Sequence, residues 1–136
     1  DLSVEVPNAP AIYLEREAPH TDVNMTTESH PIGDDIYNTT ITVTVTSKIG
    51  DKTLFLVECT QGGIFRIQNV PQDQMPMVLG IGCPNIIFPY LRETVSDVVI
   101  RAGFPPLLLN PVNFEALFMQ QQQQAQQQQA APAQTH

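Results

Sequence analysis

Leu2, Val4 and Val6 alternate with Asp1, Ser3 and Glu5 until Pro7 ends the run, which predicts a strand with one apolar and one acidic face. Between residues 7 and 33, four prolines (Pro7, Pro10, Pro19, Pro31) and Gly33 interrupt short apolar patches at Ile12–Leu14 and Val23–Met25. This stretch reads as a long connection, and connections of that length usually carry function or stay disordered. The cleanest period of two follows: Tyr37, Ile41, Val43 and Val45 on one face, Thr40, Thr42, Thr44 and Thr46 on the other. It predicts a long antiparallel strand from Asp35 to Lys48. A turn at Ile49-Gly50-Asp51-Lys52 returns the chain as a second strand, Thr53–Gln61, with Phe55, Val57 and Cys59 opposite Leu56 and Glu58. Gly62-Gly63 is expected to break the pattern before Ile64–Ile67 resumes extended structure.

The period then changes. Gln72–Gly80 reads as a short helix and Pro84–Pro89 as an apolar connection. From Pro89, Leu91, Val95, Val98 and Val99 mark one stripe of a helix that stops at Ala102-Gly103, while Arg92, Glu93, Ser96 and Asp97 suit a face that contacts another helix. The prolines between Phe104 and Pro111 forbid a continuous helix there and make a linking segment. Asn113 is placed to cap a second helix whose stripe is Phe114, Leu117 and Phe118, with Glu115 in its first turn. Residues 120–136 hold ten glutamines; their proximal part is able to extend the helix, but with no apolar stripe to bury the segment is expected to fray into a disordered tail.

A chain of 136 residues supports one domain with a modest core. Its apolar stretches fall far short of the about 20 residues that span a bilayer. Net charge is −8, and residues 1–35 carry −7 of it, with eight acids against Arg16 alone. That excludes a nucleic-acid backbone or an anionic membrane as main partner and favours a basic one. Cys59 and Cys83 lie in apolar contexts and read as two buried thiols in a reducing compartment. Without a secretory signal pattern, the cytoplasm is the expected location. The chain starts at Asp1 inside a strand, so the first strand is expected to lack part of its N-terminal end.

Candidate chemistry is sparse. His20 and His30 sit in the long connection and His136 at the far end, without the short spacings of zinc ligands. Asp34 and Asp35 are neighbours at a strand entry, where adjacent side chains point apart, so they do not make an acid–base pair. The serines lack a nucleophile elbow, and the glycine pairs lack a phosphate-cradling setting. The expectation is a binding protein, not an enzyme, without metal or cofactor. Its aromatic and methionine side chains suit an adaptable apolar surface.

Five ordered motifs then carry a resemblance: Glu5-Val6-Pro7-Asn8-Ala9-Pro10; Asp34-Asp35-Ile36-Tyr37; Gln61-Gly62-Gly63-Ile64-Phe65; Cys83-Pro84-Asn85-Ile86-Ile87-Phe88-Pro89-Tyr90; and Pro111-Val112-Asn113-Phe114-Glu115-Ala116-Leu117-Phe118-Met119. In these, residues 1 to about 119 resemble the SecB protein-export chaperones. The resemblance implies an α+β domain over 1–119: a four-stranded antiparallel sheet, a long crossover connection and two main helices on one side. It also implies an ATP-independent cytoplasmic holdase that keeps unfolded precursors translocation-competent and passes them to the SecA translocation ATPase.

The resemblance assigns residues as well. Asp1, Glu5, Leu56 and Glu58 match the acidic sheet patch that receives the basic, zinc-bearing SecA tail, so the zinc would belong to the partner. Val23, Met25, Phe114, Leu117 and Phe118, with Tyr13 and Phe55, match the client groove. Arg92, Glu93, Ser96 and Asp97 match the interface of a homotetramer built as a dimer of dimers. The chain departs from the family where Glu17 replaces a frequent crossover tryptophan and where glutamines replace an acidic C-terminus. Those departures leave a second reading: a SecB-like chaperone devoted to one client, such as an antitoxin.

Overall fold

The computed structural model describes residues 1–130. Four strands, β1 (Leu2–Glu5), β2 (His20–Gly33), β3 (Ile36–Ile49) and β4 (Lys52–Arg66), form one antiparallel sheet in the order β1-β4-β3-β2. The β1-to-β2 connection must therefore cross the sheet, and it holds a single 3-10 turn, Ala11–Leu14, that drives Ile12 into the core. A short helix α1 (Met75–Met77) runs through a π-helical turn (Val78–Gly82) into α2 (Cys83–Arg101). After an extended segment, α3 (Phe114–Ala130) closes the described chain.

The alternation along β3 sorts the sheet as its sequence dictates. Ile41, Val43 and Val45 are fully buried against Leu91, Val95 and Val99 of α2, with Val57 and Cys59 of β4 beside them. The threonines between them occupy the opposite, partly open face. Burying one aliphatic side chain is worth about 1.5–3 kcal/mol, so this row dominates the stability of the sheet and helix pair.

Three local expectations change. Residues 20–33 are not part of a loose connection but a strand of 14 residues paired along β3, from His20 opposite Lys48 to Gly33 opposite Ile36. Its core-facing positions include Thr21, Thr27 and Ser29, which hid the period of two. The Thr21 hydroxyl pairs with that of Ser47 at 3.0 Å and the Ser29 hydroxyl with that of Thr39 at 2.8 Å. Pro31 is tolerated because β2 is an edge strand. Gly62-Gly63 does not interrupt β4, which pairs with β3 through Arg66. A Cβ on Gly63 would lie 3.3 Å from the Ile87 side chain, so the missing side chain lets α2 lie close.

Helix α2 starts at Cys83, six residues before the expected Pro89. Pro84 sits in the first turn, where no donor is needed. Pro89 stands inside the helix on its exposed face, so the carbonyl it leaves without a partner opens to water. Asn113 caps α3 as read: its Oδ1 accepts the Ala116 N–H at 3.0 Å. The proximal Gln/Ala run extends the helix to Ala130, with its side chains exposed through Gln129. Both residue types lose little entropy in a helix. The rest of the expected tail, residues 131–136, lies outside the described residues.

Candidate functional site

The β1–β4 register sets Glu5 opposite Leu56 and Ser3 opposite Glu58, and the Thr60 N–H donates to the Asp1 carbonyl at 2.8 Å. Side chains alternate, so Asp1, Ser3, Glu5, Leu56 and Glu58 share the sheet face turned away from α2. Thr44 of β3, opposite Glu58, completes a shallow cavity of about 140 Å³ around Leu56. Among the described residues, the ion pairs are His20–Asp22, His30–Glu28, Lys52–Glu15 and Arg101–Asp97. Glu5 and Glu58 therefore present negative charge without a protein counter-ion. Of the four residues matched to an acidic patch, Glu5, Leu56 and Glu58 line this cavity; Asp1 shares the face at the start of β1, opposite Thr60, and does not line it.

A larger depression, about 470 Å³, opens between β2 and the segment leading into α3. Val23 and Met25 form one wall, Leu107–Val112 the other, and Leu117 of α3 the end. Val23 is 45% exposed and Leu108 73%, so apolar surface faces solvent within reach of a ligand. Of the seven groove residues expected, these three (Val23, Met25, Leu117) line it. Phe114 is 2% exposed, set edge-on to Phe88 at 5.8 Å, and Phe55 is 5% exposed beneath Phe104. Both belong to the core, because each points inward from its element and meets another ring.

Phe118 covers the π-helical turn instead: a Cβ on Gly80 would fall 2.6 Å from its ring. With Thr27, Ser29 and Leu79 it lines a separate depression of about 190 Å³. Tyr13 lies apart from the groove, stacked on Phe104 with centroids 5.2 Å apart. The stretch Leu107–Val112 was read only as a linker. Its three consecutive leucines, in a segment that prolines keep from coiling, were the available signal for a groove wall.

On α2, Arg92, Glu93, Ser96 and Asp97 line a third depression of about 320 Å³ with Pro89, Ile100 and Leu108. Asp97 is held by Arg101 at 2.9 Å. Tyr90 and Ile86 extend the same outward side of the helix and are 66% and 60% exposed. Cys59 and Cys83 are buried free thiols. Burial pushes both up from the ordinary thiol range, and a hydrogen bond from Thr39 partly offsets this at Cys83. Among the described residues, no group of three or more His, Cys, Asp or Glu side chains gathers as a metal site, and no helix is long and apolar enough to cross a membrane.

A family model described as "Preprotein translocase subunit SecB" matches residues 1–125. The chain belongs to the SecB family. It is 82% identical over 136 residues to the protein-export protein SecB of Thiobacillus denitrificans, covering all of this chain and 89% of that relative. It is 60% identical over 121 residues to the SecB of Methylobacillus flagellatus, covering 89% of this chain and 77% of that one. The same fold recurs in a SecB-like chaperone of Mycobacterium tuberculosis solved with a peptide from the HigA1 antitoxin. There the TM-score is 0.67 at 15% identity, over 82% of this chain and 83% of the other. SecB membership agrees with the motifs read from the sequence and with the observed sheet and helices.

Proposed function

We propose that this chain is an ATP-independent chaperone of protein export that holds unfolded precursors in the cytoplasm and delivers them to the SecA ATPase. The observation that carries the reading is the pairing of two unlike surfaces on one sheet. One edge offers an apolar groove; the outer face offers unpaired carboxylates around a leucine. An unfolded segment buries side chains against Val23, Met25 and Leu117, while the free backbone edge of β2 pairs with its main chain. Main-chain pairing is indifferent to sequence, which suits a chaperone with many clients. Glu5 and Glu58 attract the basic SecA tail, and Leu56 supplies an apolar anchor between them.

Four copies, joined as a dimer of dimers through Arg92, Glu93, Ser96 and Asp97, would present several grooves to one client and raise weak contacts by avidity. The single-client alternative rests on the Gln tract and the missing tryptophan. The 82% identical relative, a protein-export SecB matched along the entire chain, weighs against it.

The test is a parallel binding assay with an unfolded precursor and a synthetic zinc-loaded SecA-tail peptide. Replacing both acids, Glu5→Lys and Glu58→Lys, should weaken tail binding by about tenfold at low salt and less at high salt, as expected for exposed charges worth about 0.5–1 kcal/mol each. Precursor binding should be unchanged. Tail affinity equal to wild type would refute the docking assignment, and failure of several unrelated precursors to bind would refute the general chaperone role.

A further inference from the structure

The crossover that carries the chain from β1 to β2 is fastened at three places by side-chain hydrogen bonds. Asn8 Nδ2 donates to the Thr53 carbonyl at 3.0 Å, and Lys52 Nζ to Glu15 at 3.3 Å, both at the β3–β4 end of the sheet. The third reaches the helical layer: the Tyr13 hydroxyl donates to the Ala102 carbonyl at 2.7 Å. Among the described residues, this is the one side-chain hydrogen bond between the crossover and that layer. Ala102 ends α2, where helix carbonyls lack intrahelical partners, so the hydroxyl satisfies an acceptor otherwise left to water.

The ring of Tyr13 is fastened too. It lies on Phe104 at 18° between planes, and Phe104 lies on Phe55 with centroids 5.1 Å apart. Gly103 makes this possible. Its φ of 95° is open to glycine, and a Cβ there would stand 3.1 Å from Tyr13 Cε1. Yet Tyr13 is 46% exposed, while Phe104 beneath it is 8% exposed. A half-open tyrosine thus covers a closed phenylalanine.

Phe104 is also the root of the groove wall. Pro105 and Pro106 follow it at once, and Leu107–Val112 line the groove directly after them. Two successive prolines fix φ and stiffen the join, so movement at Phe104 is passed to the wall rather than absorbed between them.

We propose that Tyr13 is a latch on the client groove: its hydroxyl bond to Ala102 holds the crossover on the root of the 104–112 wall. Its release lets that wall move away from β2 and uncovers Phe104 to aromatic or aliphatic side chains of a client. The role rests on the chaperone reading above. It makes Tyr13 a positioning residue that controls how fast the groove accepts a segment and does not itself line the groove.

Tyr13→Phe keeps the stacked ring and removes only the hydrogen bond. A bond of this kind shifts an opening equilibrium by about fivefold. Amide exchange at Gly103 and Phe104, whose N–H groups donate to Ile100 and Val99, should accelerate by about that factor. Exchange along β3 should accelerate by no more than the same factor and stay far slower than at Gly103 and Phe104, and the melting temperature should fall by only a few degrees. Stopped-flow association of a fluorescent, phenylalanine-rich unfolded peptide should speed up by a similar factor, a gain that general destabilisation does not produce. If wild type binds the peptide while Tyr13→Phe matches it in exchange or in association rate, the latch is refuted and the chaperone reading stands. If wild type binds no unfolded peptide, both fall.

Discussion

Replacing Phe114 with Ala tests how α3 is held, and through it the separation of the two binding surfaces. The ring is 2% exposed and set against Phe88, while Leu117 and Phe118 are only partly buried. Beyond Met119 the helix is exposed glutamine and alanine, which add no docking. One fully buried aromatic and two half-buried side chains supply about 4–5 kcal/mol of apolar burial. Removing a buried phenylalanine costs about 3–5 kcal/mol. The two are nearly equal, so the variant should release α3 rather than keep a cavity under it. A released helix of this length is marginal in water and should fray despite its Asn113 cap. Loss of global stability is then bounded by the docking energy of α3. Hydrogen exchange is the assay: protection over residues 114–119 should collapse while β3 amides slow to exchange in wild type remain slow. Precursor binding should fall, since Leu117 leaves the groove, and tail-peptide binding should persist. A single cooperative melt at lower temperature, with α3 protected to the same degree as β3, would show that α3 unfolds only with the whole domain and would refute the argument.

Two further outcomes are expected. Burial raises the Cys59 and Cys83 thiols in the folded state, so on raising the pH the unfolded chain ionises first; the thiols' contribution to stability should be constant below about pH 8.5 and decline above it as pH rises toward the folded values. Denaturant midpoints across that range check the sign, and a midpoint that rises above about pH 8.5 would contradict it. Static light scattering should give about four times the chain mass, and reversing Arg92 and Glu93 together should lower it, whereas a wild-type monomer at micromolar concentration would remove the tetramer.

How far the sequence disclosed all this depends on which residue types mark each period. In the middle of β3 the inward positions Ile41, Val43 and Val45 alternate with outward Thr40, Thr42, Thr44 and Thr46, so strand and faces were legible. In β2 the inward Val23 and Met25 are flanked by inward Thr21, Thr27 and Ser29, so the period of two is too short to read as a strand until the pairing with the long β3 is known. The start of α2 was hidden because Pro89 suits a first turn and makes Pro84–Pro89 look like a connection, whereas Pro84 holds the first turn and Pro89 stands on the exposed face inside the helix. Alternation could place Glu5 with Asp1, and Glu58 with Leu56. It could not set the β1–β4 register that brings the two pairs together, because the strands are separated by the full length of β2 and β3. Phe55 and Phe114 fit an apolar stripe equally well as groove lining or as core. Only the rings that meet them, Phe104 and Phe88, decide for the core.

The same alternation constrains how two ligands are handled. Val43 pairs with Met25 on one side and Cys59 on the other, and all three point toward the helical layer. One residue along β4, Glu58 points the opposite way, beside Ser3 and near Glu5. A client laid against Met25 and Leu117 and a basic peptide laid across Glu5 and Glu58 therefore occupy opposite faces of one sheet. Neither needs to displace the other, so a ternary complex of chaperone, client and tail is sterically allowed. Coupling through the sheet is resisted by its paired core strands. The 104–112 wall lies outside the sheet's hydrogen-bonded ladders. Handover is accordingly expected to be governed there, by the rate at which the wall opens, rather than by competition for a shared surface.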